Sequence, residues 1–184
     1  MNTRIESLTL IHSGCWLELG LAVSQRGHGF RRMGLATVDG ETADLRTVVL
    51  REVDSGQGTL KFFTDARSPK VRQIQARPSA TLMVWCERLG WQLRLRVALT
   101  VETSGLAVSS RWARLKLTPA AQDYLSPLPP GTPLDPTPLP ERGSREHFAV
   151  VTATVLAIDW LELHADGNRR AAFDAAGHGQ WLVP

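Results

Sequence analysis

The chain has 184 residues, of which 43% are hydrophobic and 21% charged, a composition typical of one globular domain with a real core. Its net charge of +3 suits an anionic ligand, but its Lys and Arg residues form no run of the kind that binds nucleic acid. Residues 1–6 lack the apolar core of a secretion signal, and no apolar run approaches the roughly 18 residues that span a membrane, so we expect no membrane partner.

The first predicted element is an amphipathic helix over residues 3–24, within an N-terminal helical region at residues 1–25. Its apolar residues recur at helical spacing: Leu8, Ile11, Cys15, Leu19 and Ala22. Three strands are then predicted over residues 33–38, 45–52 and 60–64, because β-formers alternate there between turn-forming residues.

The next helix is predicted to begin at Ser68 and Pro69. Serine is favoured as a helix N-cap, proline is favoured at the first helical position, and Pro78 ends the helix. Lys70 lies in the first turn. The helix-start N–H groups, the Ser68 hydroxyl and the Lys70 ammonium together predict an anion-binding site.

Two more strands follow. Residues 81–87 are apolar on both faces, which predicts a strand buried in the middle of a sheet. Residues 91–102 alternate strictly, which predicts a long, half-buried antiparallel strand. One face carries Trp91, Leu93, Leu95, Val97, Leu99 and Val101.

A helix is predicted over residues 106–117, with Trp112 and Leu115 on its apolar face. Residues 126–144 are Pro-rich and predict a loop without regular structure. Strands return in the pattern at 148–163, 170–173 and 180–183. Many strands with few helices indicate a single domain over 1–184 that is mainly β, an antiparallel barrel with flanking helices of the α+β class.

The cysteines and histidines do not indicate a metal site. Cys15 and Cys86 lie far apart among apolar residues, so we expect buried free thiols and a reducing, cytoplasmic location. The five histidines are scattered. Only His178 has a carboxylate nearby in sequence, that of Asp174, and we predict no metal ligands.

The polar residues of the central stretch suit a planar, anionic cofactor. Arg46 opens a predicted strand, and Arg51 lies five residues later on its opposite face, so both cannot reach one ligand from the same surface. The residues between them, 47–50, can lie alongside a flat ring through their backbone groups. Gln92 and Arg94 share the polar face of the long strand, and a Gln side chain can both donate and accept at the edge of a heterocycle. Taken singly, each feature is more typical of a helix cap or a solvated strand face than of a cofactor site.

Taken together, these motifs resemble the FMN-binding split-barrel family of pyridoxamine 5'-phosphate oxidase. The similarity is greatest to the branch of pyridoxamine-phosphate-oxidase-related FMN-binding proteins, and it covers roughly residues 16–184. The segments that carry it are 35–38, 46–51, 63–70, 91–94, the helix with Arg111 and Trp112, the Pro-rich loop, and 155–161.

The resemblance implies a six-stranded antiparallel split barrel that forms a homodimer, with one FMN in each of two clefts at the interface. It implies that Arg46 and Lys70 contact the FMN phosphate, and that the strand after Arg46 lines the flavin. By motif match, the predicted cofactor contacts are Arg46, Thr47, Val48, Val49, Leu50, Arg51, Phe63, Thr64, Arg67, Ser68, Lys70 and Gln92.

The chain also departs from the oxidase pattern. Pro69 stands where the oxidase has a second basic residue, and Arg67 is the candidate to supply that charge. Arg170 matches the first Arg of the oxidase's C-terminal motif and is the candidate substrate contact, but the His that follows there has become Ala. The flavin-stacking Trp aligns with Leu161. Trp160 is one residue off and is expected to face the other way. We therefore do not expect vitamin B6 oxidation.

The resemblance predicts an FMN-dependent oxidoreductase that takes hydride from a small-molecule substrate or reduced nicotinamide. No general base is evident, so the catalytic residues remain unassigned. Three alternatives stay open: a non-catalytic binder of flavin or tetrapyrrole, a deazaflavin protein of the same fold, and a barrel that has lost its cofactor and serves as an interaction module.

Overall fold

The computed structural model describes residues 4–133 and 145–184. Part of the predicted Pro-rich loop, including Pro136, Pro138 and Pro140, lies outside these described residues. Within them, three helices and eight strands follow one another in the chain: α1 Leu8–Ser24, β1 Arg32–Asp39, β2 Thr42–Asp54, β3 Thr59–Asp65, α2 Pro69–Ala76, β4 Ser79–Cys86, β5 Trp91–Glu102, α3 Leu106–Leu115, β6 Phe148–Glu162, β7 Arg169–Asp174 and β8 Gly179–Leu182.

The strands form one antiparallel sheet in the order β3-β2-β1-β4-β5-β6-β7-β8. An additional pairing of β3 with β6 closes the first six strands into a ring. The strands β7 and β8 continue the sheet beyond β6. The predicted six-stranded antiparallel split barrel is therefore confirmed, and in this ring β2 and β5 lie on opposite sides.

Alternate side chains of the strands point into the ring and form its core. Along β5, Leu93, Leu95 and Val97 are buried, whereas Arg94 and Arg96 are exposed. The predicted apolar face of this strand is therefore confirmed over most of its length. The helix α1 packs its buried residues against the barrel core: Ile11, Cys15, Leu19 and Ala22. Both cysteines are free and buried, as predicted.

Several boundaries differ from the prediction for local reasons. The first helix begins at Leu8 and not at residue 3, because the Ser7 hydroxyl accepts from the Leu10 N–H and caps it. Residues 4–133 and 145–184 also include three short 3₁₀ segments that were not predicted: Gly29–Arg31, Pro119–Tyr124 and Arg145–His147. No helix among the described residues is long and apolar enough to cross a membrane.

The strand β4 is central in the sheet, as predicted, but it is not buried on both faces. Met83 is 41% exposed and Trp85 is 37% exposed. They lie on the outer face of the ring, opposite the buried Leu82 and Val84. The prediction was wrong on this point. Apolar residues on both faces of a strand favour burial of both faces, but they do not show whether the same chain buries the second face.

A second, smaller core lies outside the ring, over β3 and β6. It joins α3 and the segment Pro119–Tyr124 to Phe148, whose ring centre lies 5.1 Å from that of Phe63, 5.2 Å from Trp112 and 5.4 Å from Tyr124. Trp112 and Leu115 are buried there, which confirms the predicted apolar face of α3.

We expect Phe148→Leu to lower the free energy of unfolding by about 1–2 kcal/mol, because it removes part of a buried ring and three aromatic contacts. Urea denaturation monitored by tryptophan fluorescence would measure the change. A loss of less than a few tenths of a kcal/mol would show that this second core does not stabilise the fold.

Candidate functional site

Two cations and two hydroxyls meet where β3 leads into α2. Ser68 is the N-cap residue of α2 and Lys70 lies in its first turn. The Lys70 ammonium donates to the Thr64 hydroxyl at 3.1 Å, and the Thr64 and Ser68 hydroxyls lie 3.3 Å apart. We call Arg46, Thr64, Ser68 and Lys70 the cation cluster.

Ser68 occupies the predicted N-cap position, but its side chain makes no capping hydrogen bond. Its hydroxyl is fully buried and faces Thr64. The predicted N-cap position is therefore confirmed, while the Ser68 side chain faces the buried Thr64 hydroxyl and not the N–H groups of the helix. In the first turn of α2, Pro69 has no N–H and the Val71 N–H donates to the Ser68 carbonyl at 2.9 Å, so among the described residues the Lys70 N–H is the donor left for another acceptor.

Arg46 projects from β2 toward the same helix. Its guanidinium donates to the Leu35 carbonyl at 3.2 Å and to the Gln73 side chain at 2.7 Å, and also contacts Thr37 and Asp44. Gln73 lies three residues after Lys70 on α2, which places both on the same side of the helix. The structure therefore places Arg46 on the same side of α2 as Lys70, close enough for its charge to lower the pKa of Lys70.

The charges of the cluster act on one another. Burial lowers the pKa of Lys70, and the nearby Arg46 guanidinium lowers it further. A hydrogen bond from Gln73 lowers the pKa of Asp44, and its contact with Arg46 adds to this effect. Two cations held close together with partial burial favour an anion between them, because the anion relieves their repulsion.

Beside this cluster the sheet opens. The strand β2 pairs with β3 only through residues 50–54, whereas residues 42–49 pair only with β1. Residues 63–65 of β3 pair instead with β6. We call this gap between residues 42–49 of β2 and 63–65 of β3 the seam. One edge of β2 thus has backbone groups without ladder partners, which a planar ligand with polar edges can use.

Arg51 lies apart from the cation cluster, at a bulge in the β2–β3 pairing. Its guanidinium is 5.9 Å from the centre of the Phe63 ring and 3.4 Å from the Tyr124 hydroxyl. Its Nε is buried without a hydrogen-bond partner among the described residues. Arg51 therefore places a second cation, packed against Phe63, on the outer face of the ring.

Arg67 is committed to other partners. Its guanidinium forms an ion pair with Asp65 and donates to the carbonyls of Ser126 at 2.8 Å and Pro127 at 3.1 Å. Asp65 raises the pKa of Arg67 through its hydrogen bond. Arg67 thus anchors the beginning of the Pro-rich segment, and its predicted contact with a phosphate would require it to leave these acceptors.

Gln92 lies on the other side of the ring. Across the sheet it is paired with Trp85 of β4 and with Leu161 of β6, and Leu161 is paired in turn with Arg170 of β7. Since β5 stands opposite β2 in the ring, one chain cannot bring Gln92 to the seam. Gln92 and Arg170 therefore share a row on the outer face but do not join the cation cluster of their own chain.

Arg170 is held by a carboxylate in this row. It donates to Asp159 at 2.7 and 3.1 Å, and Arg94 contacts the same carboxylate. Burial alone would raise the pKa of Asp159, but the hydrogen bonds from Arg170 and Arg94 hold it below its usual value. Trp160 is fully buried on the opposite face, as predicted, so it cannot stack on a ligand bound to this row.

Three site residues were not predicted from the sequence: Thr37, Asp44 and Gln73. Thr37 and Gln73 are buried polar residues, and all three contact Arg46. The only available signal was the spacing of Gln73 from Lys70, which places it on the same helical face. The contacts to Thr37 and Asp44 depend on how β1, β2 and α2 meet.

Comparison with known proteins supports the resemblance seen in the motifs. Residues 15–103 match the family model for the pyridoxamine 5'-phosphate oxidase FMN-binding domain. No curated protein matches the chain by sequence.

Two solved structures cover nearly the whole chain. A pyridoxamine 5'-phosphate oxidase-related FMN-binding protein from Nostoc punctiforme PCC 73102 aligns with a TM-score of 0.75 and 24% identity, covering 93% of this chain and 96% of its own. PhzG from Burkholderia lata 383, solved in complex with tetrahydrophenazine-1-carboxylic acid, aligns with a TM-score of 0.76 and 15% identity, covering 100% and 99%. At these identities the alignments show a shared fold. The chain is thus similar to these proteins in fold over nearly its whole length, and its residues 15–103 match the family model by sequence.

Proposed function

We propose that the chain is a single-domain FMN-binding oxidoreductase that works as a homodimer. The observation that carries this proposal is the position of the cation cluster. Arg46 and Lys70 stand together at the end of the seam, where the hydroxyls of Thr64 and Ser68 add further donors. A phosphate monoester fits such a set, since it needs several donors and positive charge.

The residues present fit FMN as a whole. Its phosphate would be held by Arg46, Lys70 and the hydroxyls of Thr64 and Ser68. The flavin ring would lie along the unpaired backbone edge of β2, over the predicted contact residues 47–50. The phosphate site and the ring site thus lie next to each other in one chain, at the cation cluster and along the edge of β2.

A bound FMN would supply the redox chemistry, as an acceptor of hydride from a small-molecule substrate. The residues of this chain would bind the phosphate, orient the ring along β2 and limit the access of water. The cation pair would also fix the end of the ribityl chain and so set the position of the ring. The substrate is not assigned.

A second copy of the chain would complete the site. Gln92 faces outward on the far side of the ring from the seam, so only another chain can present it to the bound flavin. The outer face near it carries exposed apolar side chains that a partner would cover, among them Met83 and Trp85. The proposed assembly is a homodimer with FMN in two interfacial clefts.

Oxidation of pyridoxamine phosphate is not part of this proposal. Arg170, the candidate substrate contact, is neutralised by Asp159, and its side chain is already hydrogen-bonded. Leu161 stands where the oxidase has its stacking Trp. Arg170 would therefore have to exchange its partner for a substrate anion, which argues for a substrate other than a B6 vitamer.

The visible absorbance of the purified protein tests the proposal, measured before and after adding FMN and desalting. We expect retained bands near ~370 and ~450 nm, as for an oxidised flavin held by a protein. A protein that stays colourless after this treatment would overturn the assignment of FMN. Bands that bleach with a chemical reductant but with no physiological donor would instead favour the non-catalytic flavin binder.

A further inference from the structure

Gln73 makes an unusually complete set of hydrogen bonds for a side chain that is only 5% exposed. Its carbonyl oxygen accepts from the Thr37 hydroxyl at 2.6 Å and from Arg46 at 2.7 Å. Its amide nitrogen donates to Asp44 at 2.9 Å and to Asp39 at 3.1 Å. All four hydrogen-bonding positions of the amide are thus in use.

These bonds fix the orientation of the Arg46 guanidinium. One terminal nitrogen donates to the Leu35 carbonyl and to Thr37, and the other donates to Asp44 and Gln73. A guanidinium has five N–H donors in one plane, and four of them are directed at these acceptors. Among the described residues, the Nε–H is the donor left for a ligand oxygen.

Gln73 also donates to the carboxylate of Asp44, which would compete with a ligand anion for Arg46. Asp44 forms an ion pair with Arg46. The pKa of Asp44 is lowered mainly by its hydrogen bonds to Gln73 and Arg46, and to a smaller extent by the charge of Lys70. By donating to Asp44 while accepting from Arg46, Gln73 keeps the carboxylate on one side of the cation. An incoming anion then meets Arg46 and Lys70 and not Asp44.

We propose that Gln73 is a positioning residue for phosphate recognition, which orients Arg46 and holds Asp44 aside. This inference rests on the proposed FMN site. Gln73 does not contact the ligand in this arrangement, so its effect should be confined to the phosphate end and should leave recognition of the flavin ring unchanged.

The test compares FMN with riboflavin, which lacks the phosphate. Flavin-free protein is titrated with each compound while flavin fluorescence is recorded, for wild type and for Gln73→Met. We expect FMN affinity to fall about tenfold, the size typical for loss of a charge-assisted hydrogen bond, with riboflavin affinity unchanged. The matched control is Gln75→Met, since Gln75 is exposed on the same helix and should leave both affinities unchanged.

Thr37→Val provides a second variant if Gln73→Met does not fold. It removes the hydroxyl that bridges Arg46 and Gln73 and should reduce FMN affinity in the same selective way. Equal losses for FMN and riboflavin, or wild-type FMN affinity in Gln73→Met, would overturn the inference. A wild-type protein that binds neither compound would overturn the proposed FMN site itself, and with it this inference.

Discussion

Replacing both Arg46 and Lys70 by Ala should weaken FMN binding at least ~100-fold while the protein remains folded. Each cation is expected to make a charge-assisted hydrogen bond to the phosphate, worth about 1.5–3 kcal/mol, and the two bonds act on the same group. Both side chains lie at the edge of the barrel and are only partly buried, so their loss leaves the main core intact. Isothermal titration with FMN would measure the change, with the unfolding curve as a check on the fold.

The control removes the same charge from the same part of the chain. Arg72 and Arg77 are exposed, within and just after α2, and a double Ala variant of these two should bind FMN as wild type does. If the two double variants lose affinity equally, general electrostatic attraction and not a phosphate site would explain the binding.

The pH dependence of this binding has a definite sign. Lys70 binds the phosphate in its protonated form, so FMN affinity should fall as the pH rises through the Lys70 pKa, which burial and then Arg46 place below the usual lysine value. Arg46→Ala removes one of these two causes. The alkaline limb of the binding curve, although weaker overall, should therefore move to higher pH.

Much of the fold could be predicted because its signals are local. The alternation from Trp91 to Glu102 reproduces β5 to the residue, and Pro69 and Pro78 bracket α2. Closure of β3 on β6 joins residues about 90 positions apart, as in the pairing of Phe62 with Val151, and no short pattern encodes such a contact. The 3₁₀ segment Pro119–Tyr124 is likewise fixed by the second core that it covers.

The site shows the same division. Arg46 and Lys70 could be proposed as contacts of one phosphate because both lie in motifs that resemble the family's. In the structure they are close enough for Arg46 to lower the pKa of Lys70. The commitment of Arg67 to Asp65 and to the Ser126 and Pro127 carbonyls depends on where the Pro-rich segment returns, and it was not predictable. Gln73 was missed because a glutamine on a short helix is usually exposed, and only the meeting of three elements buries it.

Charges on the outer face should separate the proposed dimer and abolish FMN binding with it. Leu45 is 69% exposed and lies over Gly34, which is paired with Met83 in the next strand, so the two apolar side chains border one patch. A double variant, Leu45→Glu with Met83→Glu, should cost little stability in the single chain because both side chains already face solvent. It should prevent association because two carboxylates would be buried without partners.

Light scattering after size-exclusion chromatography measures this directly. We expect wild type at twice the 20.3 kDa mass of one chain and the variant at the mass of one chain, without retained flavin absorbance. The matched control is Leu106→Glu with Leu117→Glu, two leucines that are even more exposed but belong to the α3 region, and it should stay dimeric and yellow. A monomeric wild type that holds FMN would refute the shared site. Gln92 would then have no route to the flavin, because β5 and the seam lie on opposite sides of the same ring.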